Sequence, residues 1–384
     1  MERDLSMTID FQRNPLARIG LGFGKRSAAL VLALSLMAGC GNPGGGATTP
    51  ETPATDTHAA GSPAPAEAAK PAKEIHVAYV TNGIDPFWTI AAAGVKAAAK
   101  EFNVTAEVLM PPKGISDQKR MIETAVSRGI DGVAISPIDA ANQVAFINQI
   151  GKATNVITQD SDAPESDRLC FVGMDNYKAG REAGKLIKEV IPDGGKVMIF
   201  VGRLEQLNAQ QRRQGIIDEL LDAPMQDGAH LTVSPAADVI SGGKYTIVGT
   251  LTDNFDYAKA KSNAEDTIAS HADLACMVGL FAYNIPNCLK AVEGAGKLGQ
   301  IKLVSFDEAD DTLAGIAAGT VHGTVSQQPF KYGYESIRIL AALARGDRSV
   351  LPAGGTLDVS TVVVRKDNVE DFKAKLAEMK AQGA

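Results

Sequence analysis

The sequence predicts an α/β fold built as two successive halves, each a mostly parallel sheet covered by helices on both faces. Two observations carry this. From Ile75 to the end, short apolar runs rich in Val, Ile and Leu alternate with longer amphipathic stretches, the pattern of βαβ units. The alternation then restarts near Lys196, so that each half has about the mass of one domain.

The elements follow in order. In the first half, strands are expected at Ile75–Thr81, Val104–Met110, Gly132–Ser136, Asn155–Thr158 and Leu169–Val172. Helices are expected at Phe87–Phe102, Ser116–Arg128 and Ala140–Lys152, with Asn176–Val190 leading onward. The second half offers strands at Lys196–Val201, His230–Val233, Leu274–Gly279, Ile301–Ser305, Val321–Val325 and Thr356–Val364. Its helices are Ala209–Leu221, Tyr257–Ser270, Asn284–Gly294, Thr312–Ala318, Phe330–Arg345 and a charged closing helix Asn368–Lys380. Residues 234–256 fit neither period and read as a loop with one or two irregular strands.

The first forty residues read as an export signal rather than fold. Arg13, Arg18, Lys25 and Arg26 precede an uncharged apolar run, Ala28–Ala38, too short to span a bilayer but suited to a secretory segment. The run ends in Met37-Ala38-Gly39-Cys40, which resembles the lipobox of bacterial lipoproteins, with Met37 where Leu is usual. That resemblance implies a signal peptide over 1–39 and a lipid anchor on Cys40. Residues 40–73 are Gly, Pro, Ala, Thr and Ser with almost no large apolar side chain, the composition of a tether.

Composition narrows the function. The chain has 384 residues and a net charge of −7 with no compensating basic stripe, which argues against a nucleic-acid partner. Four Cys and five His fall in no CxxC or HxxxH spacing, so neither a metal nor a cofactor is expected. Cys170, Cys276 and Cys288 are expected as buried thiols.

In open α/β sheets a ligand lies beyond the carboxyl ends of the strands. Those ends carry Thr81, Asp85, Phe87 and Trp88; Gln159 and Asp160; Phe281 and Tyr283; Phe306 and Asp307; Gln327 and Gln328. Aromatic rings, carboxylates and carboxamides dominate. A sugar presents C–H faces that stack on rings and hydroxyls that both donate and accept, which Asp, Arg and Gln match in pairs. Phe87, Trp88, Phe255, Phe281 and Phe306 supply the stacking area. Asp85, Asp160, Asp307, Arg212 and Gln327 supply the polar edge, and Thr81 adds a hydroxyl. Blander roles compete: Asp85 could only cap a helix, Phe306 and Phe255 could be core, and Arg213, beside Arg212, reads as a solvated charge. Glu308, Asp310 and Asp311 read as acids at a helix start.

Taken together, Ala78–Thr81 with Asp85–Trp88, Val156–Asp160, Val304–Asp307 and Gly323–Pro329 resemble the periplasmic sugar-binding proteins of ABC transporters, of the ribose-binding type. The resemblance spans Glu74 to Val364. It implies the type I periplasmic binding fold: two Rossmann-like lobes joined by a three-strand hinge, crossing near Asp175, Gln327 and Gly354. The lobes would be 74–174 plus 327–354, and 175–326 plus 355–384. It further implies no catalysis, a monomer, a sugar closed between the lobes, and an ABC permease as partner. Thr81, Asp85, Phe87, Trp88 and Asp160 match first-lobe contacts; Arg212, Phe255, Phe306, Asp307 and Gln327 complete the set. Ser161 replaces an Arg of ribose binders, Phe281-Ala282 replaces an Asn-Asp pair, and Asp85 replaces an Asn, so another pentose, a hexose or a polyol is expected rather than ribose. Two alternatives stay open: a sugar or autoinducer sensor docking on a chemoreceptor or sensor kinase, and an exported glycoside-active enzyme using paired carboxylates such as Asp85 and Asp160.

Overall fold

The computed structural model describes residues 73–227, 231–236 and 238–382. The expected signal peptide, Cys40 and all of the tether except Lys73 lie outside the described residues. In the first lobe the chain runs β1 (His76–Val80), α1 (Pro86–Glu101), β2 (Thr105–Leu109), α2 (Ile115–Ser127), β3 (Gly132–Ile135), α3 (Ala140–Gly151), β4 (Asn155–Gln159) and β5 (Phe171–Gly173). It then crosses to α4 (Asn176–Val190), β6 (Gly195–Val201), α5 (Leu207–Leu220), β7 (Ile240–Gly242), β8 (Tyr245–Thr252), α6 (Tyr257–Ser270), β9 (Leu274–Gly279), α7 (Asn284–Gly294), β10 (Lys302–Phe306), α8 (Asp310–Ala318) and β11 (Gly323–Ser326). After α9 (Pro329–Ala344) come β12 (Thr356–Asp358), β13 (Val362–Val364) and α10 (Val369–Gln382).

One sheet has the order β12-β5-β4-β3-β1-β2 and the other β13-β11-β10-β9-β6-β8-β7. Leaving out the hairpin strand β7, the second order repeats the first strand for strand. Most neighbours are parallel; β13 on β11 and β7 on β8 are antiparallel. Central strands such as β3 are buried along their whole length, which is why they read as unbroken apolar runs.

Each lobe fixes its first helix in the same way. In the first, α1 meets α9 so closely that a Cβ on Gly94 would stand 1.9 Å from the Phe330 carbonyl oxygen, and one on Gly333 2.0 Å from that of Ala91. In the second, α5 meets α4 through Gly180 and Gly215, whose added Cβ atoms would each lie 2.2 Å from a carbonyl oxygen of the facing helix. Only glycine permits such an approach. The two helices so held, α1 and α5, both carry residues of the inner cleft.

The chain crosses between sheets at 174–175, 327–328 and 359–361, the third place differing from the expected Gly354. The single strand expected at Thr356–Val364 is two strands in different sheets. β12 stays with β5, and the Val359 N–H donates to the Gly173 carbonyl, before β13 pairs with β11. Residues 355–358 therefore belong to the first lobe. No strand forms at 231–233; His230 lies outside the described residues. The strand on the other side of β6 from β9 is β8, from the region read as irregular, where a register shift at Val197/Met198 and Gly249 interrupt the pattern. Cys170, Cys276 and Cys288 are buried free thiols.

Candidate functional site

The carboxyl ends of both sheets face one cleft, and its walls contain Asp85, Phe87, Trp88, Asp160, Arg212, Phe255, Phe281, Asp307 and Gln327 from the expected set. On the first-lobe side, Asp85 caps α1: one carboxylate oxygen accepts from the Phe87 N–H at 2.9 Å. This cap sets the entry angle of the helix and aims Phe87 and Trp88 inward, their rings edge to face at 4.8 Å and 86°. The other Asp85 oxygen accepts from the Tyr257 hydroxyl of the second lobe at 2.8 Å, a hydrogen bond across the cleft.

Asp160 follows β4 directly and has a left-handed backbone, φ 61°. Its Oδ2 accepts from Ser136 Oγ at 2.8 Å, from Asn82 Nδ2 at 3.3 Å and, across the cleft, from Asn208 Nδ2 at 3.4 Å. Its Oδ1 faces the Arg212 guanidinium at 3.9 Å. Burial raises the Asp160 carboxyl above the usual carboxylate range, and Arg212, Ser136 and Asn208 pull it back.

Arg212 is fully buried and is held by one hydrogen bond from each of its three guanidinium nitrogens. Nε donates to Asn176 Oδ1 at 2.9 Å, Nη1 to the Leu280 carbonyl at 2.9 Å, and Nη2 to Gln327 Oε1 at 2.6 Å. Gln327 Nε2 in turn donates to Asp307 Oδ1 at 2.5 Å. Asp307 follows β10, again left-handed at φ 68°. Beside it the buried Glu308 accepts from Ser326 Oγ at 2.9 Å. Burial pushes both carboxyls well above the usual range; Asp160 and Asp85 repel Asp307 against the pull of Arg212 and Gln327, and Asp307 repels Glu308.

The aromatic wall of the second lobe rests on another buried acid. Asp253 accepts from the Tyr283 hydroxyl, from Asn284 Nδ2 at 3.1 Å and from the Phe255 N–H at 2.8 Å. Burial moves its carboxyl up to about 6. This network holds Phe255 at φ 65°, a left-handed conformation that a bulky residue rarely adopts. Phe255 stacks on Phe281 at 5.7 Å and 5°. Backbone strain concentrates here: Asp160, Phe255, Asp307 and Gln328 all have positive φ.

Two expected contacts do not line the cleft. Thr81 is fully buried and its Oγ1 donates to the Gly83 carbonyl at 2.6 Å, which shapes the turn between β1 and α1. Phe306 lies beneath Arg212, 5.1 Å from the guanidinium carbon, and supports the cation from behind. Arg213 is not a solvated charge but buried, donating to Thr250 Oγ1, Ser234 O and Pro235 O. Glu308 precedes α8 and is buried, whereas Asp310 and Asp311 do stand in its first turn.

Cleft residues not named from the sequence are Asn82, Gln206 and Asn208; Ala282 and Tyr283 are named but not placed among the contacts. Asn208 was findable, because it precedes Arg212 by four residues and so shares its helix face. Gln206 is buried with neither amide atom hydrogen-bonded to protein. The pocket holds about 40 Å³, room for a few waters, so a ligand the size of a sugar ring fits there only when the lobes part.

Comparison with known proteins settles the kinship. Residues 75–348 match the periplasmic binding protein domain family. The chain belongs to that family. It is 24% identical over 279 residues to the ribose import binding protein RbsB of Haemophilus influenzae, covering 71% of this chain and 86% of that one. Among solved structures, an ABC transporter solute binding protein from Burkholderia graminis in complex with D-arabinose superposes with a TM-score of 0.69 at 27% identity, covering 78% of this chain and 98% of the other. GanP, a glucose-galactose binding protein from Geobacillus stearothermophilus, gives 0.67 at 26% identity, over 77% and 99%. The chain is thus a solute-binding protein of the ribose-binding type, with the type I periplasmic binding fold, and not an enzyme.

Proposed function

We propose that this protein captures a monosaccharide or related polyol between its lobes and delivers it to an ABC importer from a lipid anchor at Cys40. The observation that carries the reading is the convergence of Asp160 and Asp307 on Arg212 between aromatic faces contributed by both lobes. Flat apolar rings beside charged acceptors suit a ring with C–H faces and adjacent hydroxyls. The Haemophilus relative is named for ribose and the Burkholderia structure holds D-arabinose, which supports a sugar as the ligand class. Asp160 and Asp307 accept hydroxyl donors, Arg212 and Gln327 hold the acceptors in place, and Trp88, Phe87 and Phe281 stack. Hinge closure follows from contacts that one ligand makes with both lobes at once.

A thermal-shift screen against monosaccharides and polyols, with amino acids as controls, tests the ligand class, because a ligand of the folded state raises the melting temperature. A sugar that raises it while the amino acids leave it unmoved is the expected result. No shift with any sugar or polyol overturns the reading. Fatty-acid labelling in a bacterial host that is lost in Cys40→Ala tests the anchor.

A further inference from the structure

The inner pocket opens into a second compartment of about 950 Å³, far larger than the pocket itself. The two share Asp85, Phe87, Phe255, Ala282, Tyr283 and Asp307 as common wall, so they form one continuous cleft. Each lobe grades its apolar surface along that cleft. On the second lobe Phe281 lines only the inner pocket, Phe255 and Tyr283 line both, and Tyr257 lines only the outer one. These four rings are in contact throughout: Phe281 on Phe255 at 5.7 Å, Phe255 on Tyr283 at 5.7 Å, and Tyr283 stacked on Tyr257 at 4.8 Å and 14°. On the first lobe Trp88 is inner, Phe87 is shared, and Ile84 and Pro86 are outer.

Ile84 and Tyr257 line the outer compartment from opposite lobes and are 63% and 43% exposed, so each lobe leaves apolar surface bare on the same space. Polar groups edge the same space, among them Thr89 and Asn287 and the Lys290–Asp311 and Lys380–Asp310 ion pairs. A run of aromatic faces with polar groups at the edge, continued past the end of a one-ring pocket, fits a second ring of the same chemistry.

We propose that the outer compartment is a second subsite, which takes a further sugar ring glycosidically joined to the one in the inner pocket. The inference rests on the carbohydrate reading and extends it from single sugars to disaccharides. Tyr257 is the stacking platform of this subsite and Ile84 its opposite wall. The inner pocket binds a single ring on its own, and the outer one adds affinity for the second.

Calorimetric titration of the full chain tests it, using the monosaccharide with the largest thermal shift and disaccharides that contain it. At least one disaccharide should bind about ten-fold or more tightly than that monosaccharide. Ile84→Ser, a change at an exposed turn, should cut the disaccharide advantage about three-fold or more with single-sugar affinity unchanged. Tyr257→Phe keeps the ring and should preserve the ratio of disaccharide to monosaccharide affinity, whereas Tyr257→Ala should collapse it toward one. If the monosaccharide binds as tightly as every disaccharide, or if the ratio survives in both Ile84→Ser and Tyr257→Ala, the second subsite is overturned and the sugar reading stands. If no carbohydrate binds, both fall together.

Discussion

Asp160 and Asp307 hold equivalent places in the two lobes, each directly after the strand third from the β12 or β13 edge of its sheet. Both are buried and both have a left-handed backbone. Their surroundings differ. Asp160 has three neutral donors on one oxygen and a guanidinium facing the other. Asp307 has a single amide donor, the buried Glu308 beside it, and the repulsion of Asp160 and Asp85. The difference is that Asp160 is surrounded by protein donors from both lobes, whereas Asp307 is not. On the proposed function, ligand hydroxyls would supply the donors that Asp307 lacks. A ligand that completes the shell of Asp307 favours the closed form, which is how binding and closure become one event.

Breaking the element common to both sides has the largest expected effect. Arg212→Met removes the cation that Asp160 and Asp307 face and takes a donor from Asn176 Oδ1, Gln327 Oε1 and the Leu280 carbonyl. Loss of one partner from such a buried network costs about 3–5 kcal/mol of stability, measurable by denaturant unfolding, and sugar binding should fall below detection. Separating the two carboxylates comes next. Asp160→Asn should weaken sugar binding by about 2–3 kcal/mol, and Asp307→Asn by only about 1 kcal/mol, because the latter carboxyl is already poised toward its neutral form. Equal losses in calorimetry would erase the asymmetry.

The third effect is on pH dependence. Asp307 and Glu308 bind protons more tightly folded than unfolded, and Asp253 does so to a lesser degree. Stability of the ligand-free protein therefore falls as pH rises from about 5 to about 8, the opposite of the usual salt-bridged carboxylate. Melting curves should show that fall, and Glu308→Gln should flatten it. The smallest effect belongs to the cleft-spanning hydrogen bond. Tyr257→Phe removes the donor to Asp85 and should weaken sugar binding by about 0.5–1.5 kcal/mol without shifting the ligand preference.

Much of this was legible in the sequence, for identifiable reasons. The central strands could be read because burial on two faces leaves unbroken apolar runs such as Gly132–Ile135. Asp160 and Asp307 could be read because strand ends of an open sheet converge on one place. Phe306 misled, since an aromatic at a strand end looks the same whether it faces the ligand or supports the arginine that does. β8 was read only as part of an irregular stretch because Gly249 and three threonines blur its period, and the split between β12 and β13 was missed because Val359–Thr361 continues the same β-branched run. Gln206 stands at the N-cap of α5, where nothing local separates a ligand contact from a cap, whereas Asn208 could have been read from its place four residues before Arg212.

The most direct test is calorimetric titration of the best sugar from the thermal screen into the wild-type protein and into Asp160→Asn and Asp307→Asn. The account predicts a micromolar or tighter Kd for the wild type, with the Asp160 variant weakened more than the Asp307 variant. Wild-type binding no tighter than about millimolar for every sugar, or two variants that bind as the wild type does, would contradict it.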